Sequence, residues 1–166
     1  ETGVREGEIP AIKWSDVNYG NETIHIHAQQ NVATDINAEE VKSSPYVTTS
    51  KSGNTIFYYN PTTKNEKGES KDGRLISLTD NVKDILRNLK EKQRTLNIQS
   101  DWVFCDKDGE WINTKSYYSA LYRVTKDKLG CGRTNNHAFR IAYNSYVLIP
   151  AGLEVTERAK ILGHSV

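Results

Sequence analysis

The sequence predicts an α+β fold, a mainly helical domain with a small three-stranded antiparallel sheet. Short segments of alternating or β-branched apolar residues lie in the first half of the chain, whereas apolar residues in the second half follow helical spacing. Strands grouped before helices, without regular alternation, are typical of this class. With 166 residues the chain can bury one hydrophobic core, so residues 1–166 are predicted to form a single domain.

The first predicted element is a short helix from Glu6 to Val17, because its apolar residues share one helical stripe. Pro10 fits this helix only in the first turn or at a bend. A half-exposed strand follows at Thr23 to Gln29, where Ile24 and Ile26 alternate with histidines.

Two further strands are predicted after a long polar segment. Residues 31–54 are rich in Ser, Thr, Asn and Lys and predict a loop, with a possible extended piece at Tyr46 to Thr49. Thr55 to Thr63 and Arg74 to Leu78 carry strong strand signals. The charged residues 64–73 between them are interpreted as a hairpin tip.

Helices dominate the remainder, apart from a short apolar run at Trp102 to Cys105 that an Asp-Gly turn closes. Cap residues, apolar spacing and terminal glycines set the predicted bounds. The helices are expected from Thr79 or Asp80 to Leu96, from Thr114 to Gly130 with Tyr118, Leu121, Tyr122 and Leu129 inward, from His137 to Leu148, and from Thr156 to Gly163.

The composition argues against several classes of function. The 22 Lys and Arg residues nearly balance 21 Asp and Glu residues, so the net charge is +1 and any basic surface must be local. Cys105 and Cys131 suit neither a metal site nor a disulfide framework, which favours a reducing, cytoplasmic setting. No apolar run approaches the roughly 20 residues of a membrane span, and no secretory leader opens the chain.

The sequence begins at Glu1 and contains no methionine, which predicts an excised fragment. An alternative is that modified methionines are left out of the printed sequence. In that case some of the motif spacings below are short by one residue.

Several polar residues could converge on one anion. His137 and Arg140 are three residues apart, so they share a helix face and lean toward the helix N-terminus, which favours negative charge. Arg5 lies in a glycine-flanked turn, with Glu8 as an orienting carboxylate, and His164 follows a helix-ending glycine. Taken singly, each of these residues is better explained as solvated surface or as part of a salt bridge.

The order of four motifs makes a shared functional site the better explanation of these residues. They are T-G-x-R-x-G-E around Arg5, T-K-N around Lys64, H-x-x-R at His137 and Arg140, and L-G-H-S around His164. Over essentially the whole chain, this order and spacing resembles the catalytic domain of tyrosine recombinases, also called phage integrases, especially those of mobile elements. The resemblance implies the tyrosine recombinase catalytic-domain type of fold.

The resemblance also implies metal-free, cofactor-free strand exchange on double-stranded DNA through a 3′-phosphotyrosyl intermediate. Arg5 and Arg140 would bind the non-bridging phosphate oxygens. Lys64, with Lys67 and Lys71 as rivals, would protonate the leaving oxygen. His137 would accept the proton of the nucleophile or form a hydrogen bond with it, and His164 would donate a hydrogen bond to a phosphate oxygen. The full-length protein is expected to be bacterial or phage-derived and to form a tetramer on DNA.

One departure from the family pattern matters. The nucleophilic tyrosine should follow the G-H-S motif, and no tyrosine in the printed sequence takes that position. Tyr58, Tyr59, Tyr143 and Tyr146 are interpreted as core residues. The fragment is therefore expected to bind DNA without cutting it, and to lack an N-terminal DNA-clamping domain as well as the tyrosine segment.

Other interpretations stay open. His25 and His27 share a strand face and suggest a zinc pair, but they have no third ligand at a recognisable spacing, so no metal is assigned. The basic runs Asn88 to Thr95 and Arg123 to Lys128 are read as solvated helix faces, with phosphate contact as the alternative. The competing functions are a non-enzymatic DNA-binding relative of the same fold and, last, a metal-dependent phosphoesterase.

Overall fold

The computed structural model of the chain describes residues 2–63, 73–131 and 134–163. Within these ranges the predicted α+β class is confirmed, and the strands form two small three-stranded antiparallel sheets. The strands are β1 (Val17–Asn18), β2 (Thr23–Ile26), β3 (Gln29–Ala33), β4 (Val47–Thr49), β5 (Ile56–Asn60) and β6 (Arg74–Ser77). The first sheet has the order β1-β2-β6, and the second has the order β3-β5-β4.

Five α-helices lie in the described residues. They are α1 (Glu39–Lys42), α2 (Asp80–Thr95), α3 (Thr114–Arg123), α4 (Asn136–Tyr143) and α5 (Val155–Leu162). Thr79 caps α2 as predicted, whereas α3 is capped by Asn113 and not by Thr114. Both α3 and α4 continue into a wider π-helical turn, at Val124–Lys128 and Asn144–Leu148. No helix in the described ranges has the length and apolar character that crossing a bilayer demands.

The helix predicted from Glu6 to Val17 is wrong. The segment instead forms two short 3₁₀ turns, Ile9–Ala11 and Trp14–Asp16, separated by extended backbone. Pro10 is the second residue of the first turn, where its missing N–H costs nothing. The extended residues between the turns pair with the chain around Trp102, so a long-range contact overrides the helical spacing of the apolar residues.

The pairing predicted between the two strands that flank residues 64–73 is also wrong; residues 64–72 themselves lie outside the described residues. Strand β5 lies in the middle of the second sheet between β3 and β4, while β6 pairs with β2 in the first sheet. Residues 61–73 therefore connect two sheets. The segment predicted as a loop, 31–54, contains the last three residues of β3, all of α1 and all of β4. The extended piece expected within it is β4.

The main core lies between the first sheet, α2 and the N-terminal turns. It buries Val4, immediately before Arg5, so the turn that carries this arginine is anchored in the core. A second, aromatic cluster centres on Tyr59 and Trp102, which are both buried. The buried members of the main core are Val4, Ile12, Ile24, Ile26, Ile76, Leu78, Leu86 and Val103.

The helices α3 and α4 pack less deeply than their apolar residues predicted. Tyr58 and Tyr59 are buried, as expected for core residues. Tyr146 is 82% exposed and Leu129 is 64% exposed, so both are wrong as core predictions, and Tyr122 is exposed as well. Tyr146 lies on a π-helical turn and Leu129 directly follows one, and the wider spacing of such a turn rotates side chains away from the stripe of a regular helix.

Replacement of Gly73 by alanine should destabilise the junction of the two sheets. Gly73 has φ +70°, and an added Cβ would lie 2.3 Å from the backbone oxygen of Ile26. The left-handed backbone costs about 1–2 kcal/mol for an L-residue, and the clash should cost about 1–3 kcal/mol more. Chemical denaturation of the Gly73→Ala variant measures the loss.

The matched control is Gly53→Ala, because Gly53 has φ +75° and an added Cβ would meet no described atom within 4 Å. This variant should lose only the backbone contribution. Equal losses of unfolding free energy in the two variants would show that the close approach of Gly73 to β2 is unimportant.

Candidate functional site

The C-terminal end of α5 brings three arginines together. A helix leaves its last carbonyl oxygens without partners inside the helix, and this end carries partial negative charge. Here three successive carbonyls accept hydrogen bonds from side chains of distant segments. The pairs are Arg74 Nε to Ile161 O at 3.0 Å, Arg140 Nη2 to Leu162 O, and Arg5 Nη2 to Gly163 O.

Gly163 permits this arrangement by its lack of a side chain. It ends α5 in the left-handed conformation with φ +68°, as the predicted helix-ending glycine should. A Cβ at this position would lie 2.7 Å from Arg74 Nη1. The glycine therefore serves both the reversal of the chain and the close packing of an arginine on the helix end.

Glu8 is the acidic centre of the cluster, and its side chain is fully buried. Arg74 binds it with both terminal nitrogens, Nη1 to Oε1 at 2.8 Å and Nη2 to Oε2 at 2.7 Å. The backbone N–H of Arg5 also donates to Glu8 Oε2 at 2.7 Å, while Arg5 Nη1 is 3.4 Å from Oε1. Glu8 thus orients the turn of Arg5, as the sequence suggested, and mainly pairs with Arg74.

The start of α4 positions Arg140. The side chain of Asn136 donates to Val4 O at 3.0 Å and accepts from the Tyr117 hydroxyl at 3.1 Å, which ties α4 to the chain beside Arg5. Arg140, one turn later, is 5% exposed and donates through Nη1 to Gly3 O. The two arginines of the predicted site therefore lie in one cluster.

Burial and neighbouring charges alter the acid–base properties of these groups. Burial, together with the positive charge of Arg5, lowers the pKa of Arg140 to about 10, so this guanidinium remains charged at neutral pH. Burial also lowers the pKa of Arg5, although Glu8 opposes the shift. For Glu8, burial alone would raise the pKa, but the hydrogen bonds and charge of Arg74 outweigh it and leave the pKa below its usual value.

A cavity of about 410 Å³ opens beside the cluster. This volume falls in the range of small-ligand pockets, about 300–1,000 Å³. Arg5, His137 and Arg140 line one part of the cavity, and the polar side chains of β3 line another. His137 is exposed in the first turn of α4, so its ring is accessible to a ligand in the cavity.

The structure brings Arg5, His137 and Arg140 together, as the motifs suggested. Lys64, with its rivals Lys67 and Lys71, and His164 lie outside the described residues. Sequence reasoning missed the roles of Arg74 and Asn136. Arg74 was visible only as the first residue of a predicted strand, and Asn136 only as a polar neighbour of His137.

The histidines of β2 offer no comparable site. The ring centroids of His25 and His27 are 4.8 Å apart, and His27 Nε2 lies 3.1 Å from Asp16 Oδ1. In the ranges that the structure describes, no three His, Cys, Asp or Glu side chains are grouped so that they could hold a metal ion.

The sequence matches the family described as "Phage integrase family" over residues 1–166. Its fold is similar to that of the XerA recombinase, with a TM-score of 0.66 and 18% identity over 99% of this chain. It is also similar to the Tn1549 transposon integrase in complex with transposon right end DNA, with a TM-score of 0.70 and 17% identity over 99% of this chain. A further structure of that integrase, in complex with circular intermediate DNA, gives a TM-score of 0.67 and 16% identity.

The chain spans just under half the length of these solved proteins, 46% of XerA and 47–48% of the Tn1549 integrase structures. No curated protein matches the sequence.

The ion pairs of Glu8 should make stability depend on pH. Because the folded protein holds the pKa of Glu8 below the ordinary value of 4.5, the stabilisation is fully present above pH 4.5 and is lost as the pH falls through the folded value. The Glu8→Gln variant should be less stable by about 3 kcal/mol at pH 7, the scale of a broken buried ion pair. The difference from the unmodified protein should shrink below pH 4.5.

Denaturation curves between pH 7 and pH 3 measure this difference. Glu91→Gln is the matched control, because Glu91 is 70% exposed and lies 3.9 Å from Arg94. A constant difference between the Glu8→Gln variant and the unmodified protein over this pH range would contradict the assignment.

Proposed function

Because the chain belongs to the phage integrase family, we propose that it is the catalytic part of a protein that cuts and rejoins double-stranded DNA at specific sites. The observation that carries the proposal is the convergence of Arg5, His137 and Arg140 on one cavity. Guanidinium groups are planar cations with fixed forks, and they match the oxygens of a phosphodiester. The cavity is therefore assigned to the scissile phosphate.

Arg5 and Arg140 would stabilise the transition state. When an oxygen nucleophile attacks a phosphodiester, negative charge increases on the non-bridging oxygens of the five-coordinate phosphorus. Donors that already point at these oxygens need no rearrangement during the reaction. The carbonyls at the end of α5 hold both guanidinium groups in place, and Glu8 fixes the backbone of Arg5, which together supply this preorganisation.

The proton transfers follow from the family resemblance. A tyrosine hydroxyl attacks phosphorus and forms a phosphotyrosyl bond, while the bond to the 5′ oxygen of the next nucleotide breaks. His137 accepts the tyrosine proton or hydrogen-bonds to the nucleophile, and Lys64 gives a proton to the leaving 5′ oxygen. His164 donates to a non-bridging oxygen. The 5′ hydroxyl of a partner strand then attacks the phosphorus, which joins the two strands and releases the tyrosine hydroxyl.

The nucleophilic tyrosine is proposed to lie after His164, in sequence beyond the printed segment. On that basis, the 166-residue chain contributes the residues Arg5, His137 and Arg140 of the phosphate-binding site. The Tn1549 integrase structures are complexes with DNA. By analogy we assign double-stranded DNA as the partner of this chain, and a tetramer on DNA as the active assembly.

Replacement of Arg140 by alanine in the full-length protein should slow strand cleavage by about a hundredfold or more, the scale for loss of one preorganised donor. Single-turnover cleavage with the protein in saturating excess over the DNA isolates this chemical step from DNA binding. Arg94→Ala is the matched control, because the Arg94 side chain is 83% exposed on α2. Near-normal cleavage by the Arg140→Ala variant would reject the assignment.

Added EDTA should leave the cleavage rate unchanged, because side-chain cations are proposed to neutralise the phosphate. The same single-turnover assay, with and without chelator, gives the result. Strong inhibition that added zinc or magnesium reverses would instead support the metal-dependent reading. Tight, specific DNA binding by the full-length protein without any cleavage would favour the non-enzymatic relative.

A further inference from the structure

We propose that Arg74 is a positioning residue that neutralises Glu8 and thereby keeps the Arg5 guanidinium available for the phosphate. The inference rests on the proposed function and adds a residue to it. Arg74 lies at the start of β6 and is separated from Glu8 by 66 positions in sequence. No motif of the sequence marked it as part of the site.

The distances show that Glu8 binds Arg74 more closely than Arg5. Arg74 makes the bidentate contact at 2.7 and 2.8 Å, the geometry of a strong charge-assisted pair. The Arg5 side chain reaches the same carboxylate only at 3.4 Å, close to the limit of a hydrogen bond. Glu8 is thus satisfied by Arg74, and its side-chain attraction for Arg5 is weak.

Removal of Arg74 would leave Glu8 without its main partner. A buried carboxylate that lacks a cationic partner strongly destabilises the folded protein. Arg5 is the other described cation whose charge and hydrogen bonds act on Glu8. The Arg5 fork would then turn onto Glu8, leave Gly163 O and point away from the cavity.

Two further contacts hold Arg74 in the required position. Its Nε donates to Ile161 O at 3.0 Å, and its side chain is only 12% exposed. Gly163 allows the guanidinium to lie against the end of α5. Arg74 therefore links the Arg5 turn to the helix that precedes His164, and it has no need to touch DNA itself.

A double-mutant cycle in the full-length protein tests the inference, with the variants Arg74→Ala, Glu8→Gln and the combination of both. Single-turnover cleavage by Arg74→Ala should fall about a hundredfold, the effect of misplacing a catalytic group by about 1 Å. Adding Glu8→Gln should restore the rate about tenfold, because the neutral amide no longer captures Arg5. Arg74→Lys keeps the charge and should be faster than Arg74→Ala.

The control cycle uses Arg87→Ala and Asp84→Asn, an ion pair at 3.1 Å with side chains 59% and 67% exposed. It should show no coupling in the cleavage rate. Melting temperatures of all variants separate positioning from stability, because a purely structural role predicts that the cleavage rate follows the melting temperature across the cycle, whereas a positioning role predicts that the rates differ even at temperatures where every variant is fully folded.

A crystal structure of the 166-residue chain with Arg74→Ala tests the positioning step without any cleavage assay. Both nitrogens of the Arg5 fork should lie within hydrogen-bond distance of Glu8, with the contact to Gly163 O broken. An Arg5 side chain that stays in place, or a double variant no faster than Arg74→Ala, would overturn the inference. Absence of cleavage by the unmodified full-length protein would instead count against the proposed function.

Discussion

The candidate site depends on the need of one short helix for hydrogen-bond donors. The last carbonyls of α5 cannot be satisfied within the helix, and they form the negative end of its dipole. Arg5, Arg74 and Arg140 supply these donors from three separate segments. The same contacts therefore satisfy the helix end and fix the positions of the three arginines.

The buried charge of Glu8 makes this concentration of cations tolerable. Burial of a guanidinium group is costly and the repulsion between neighbouring guanidinium groups adds to the cost, which is why the pKa of Arg140 is lowered. One carboxylate offsets part of this repulsion without occupying the cavity. Its bidentate partner is Arg74, which has no proposed contact with the phosphate. The carboxylate therefore leaves the charges of Arg5 and Arg140 largely uncompensated.

Local patterns in the sequence predicted α4 and α5, because caps and spacing act over a few positions. Arg5, His137 and Arg140 were instead identified from the order of the motifs and the family that this order resembles. Local patterns could not predict that Lys13 would pair with the chain around Trp102 and break the N-terminal helix. Alternation identified β5 and β6 but not their partners, so the two strands were placed in one hairpin. Arg74 was missed for the same reason, since its partners are distant in sequence.

The shortness of α5 has a consequence for how the site can fail. The helix has eight residues, and Leu162 is its one buried member. An isolated helix of this length is not stable in water, so its order depends on the groups that bind its end. Fraying of α5 would remove one contact from each of the three guanidinium groups at the same time, while the two sheets and their core remain intact. Loss of the site can thus precede loss of the fold, as one cooperative local opening.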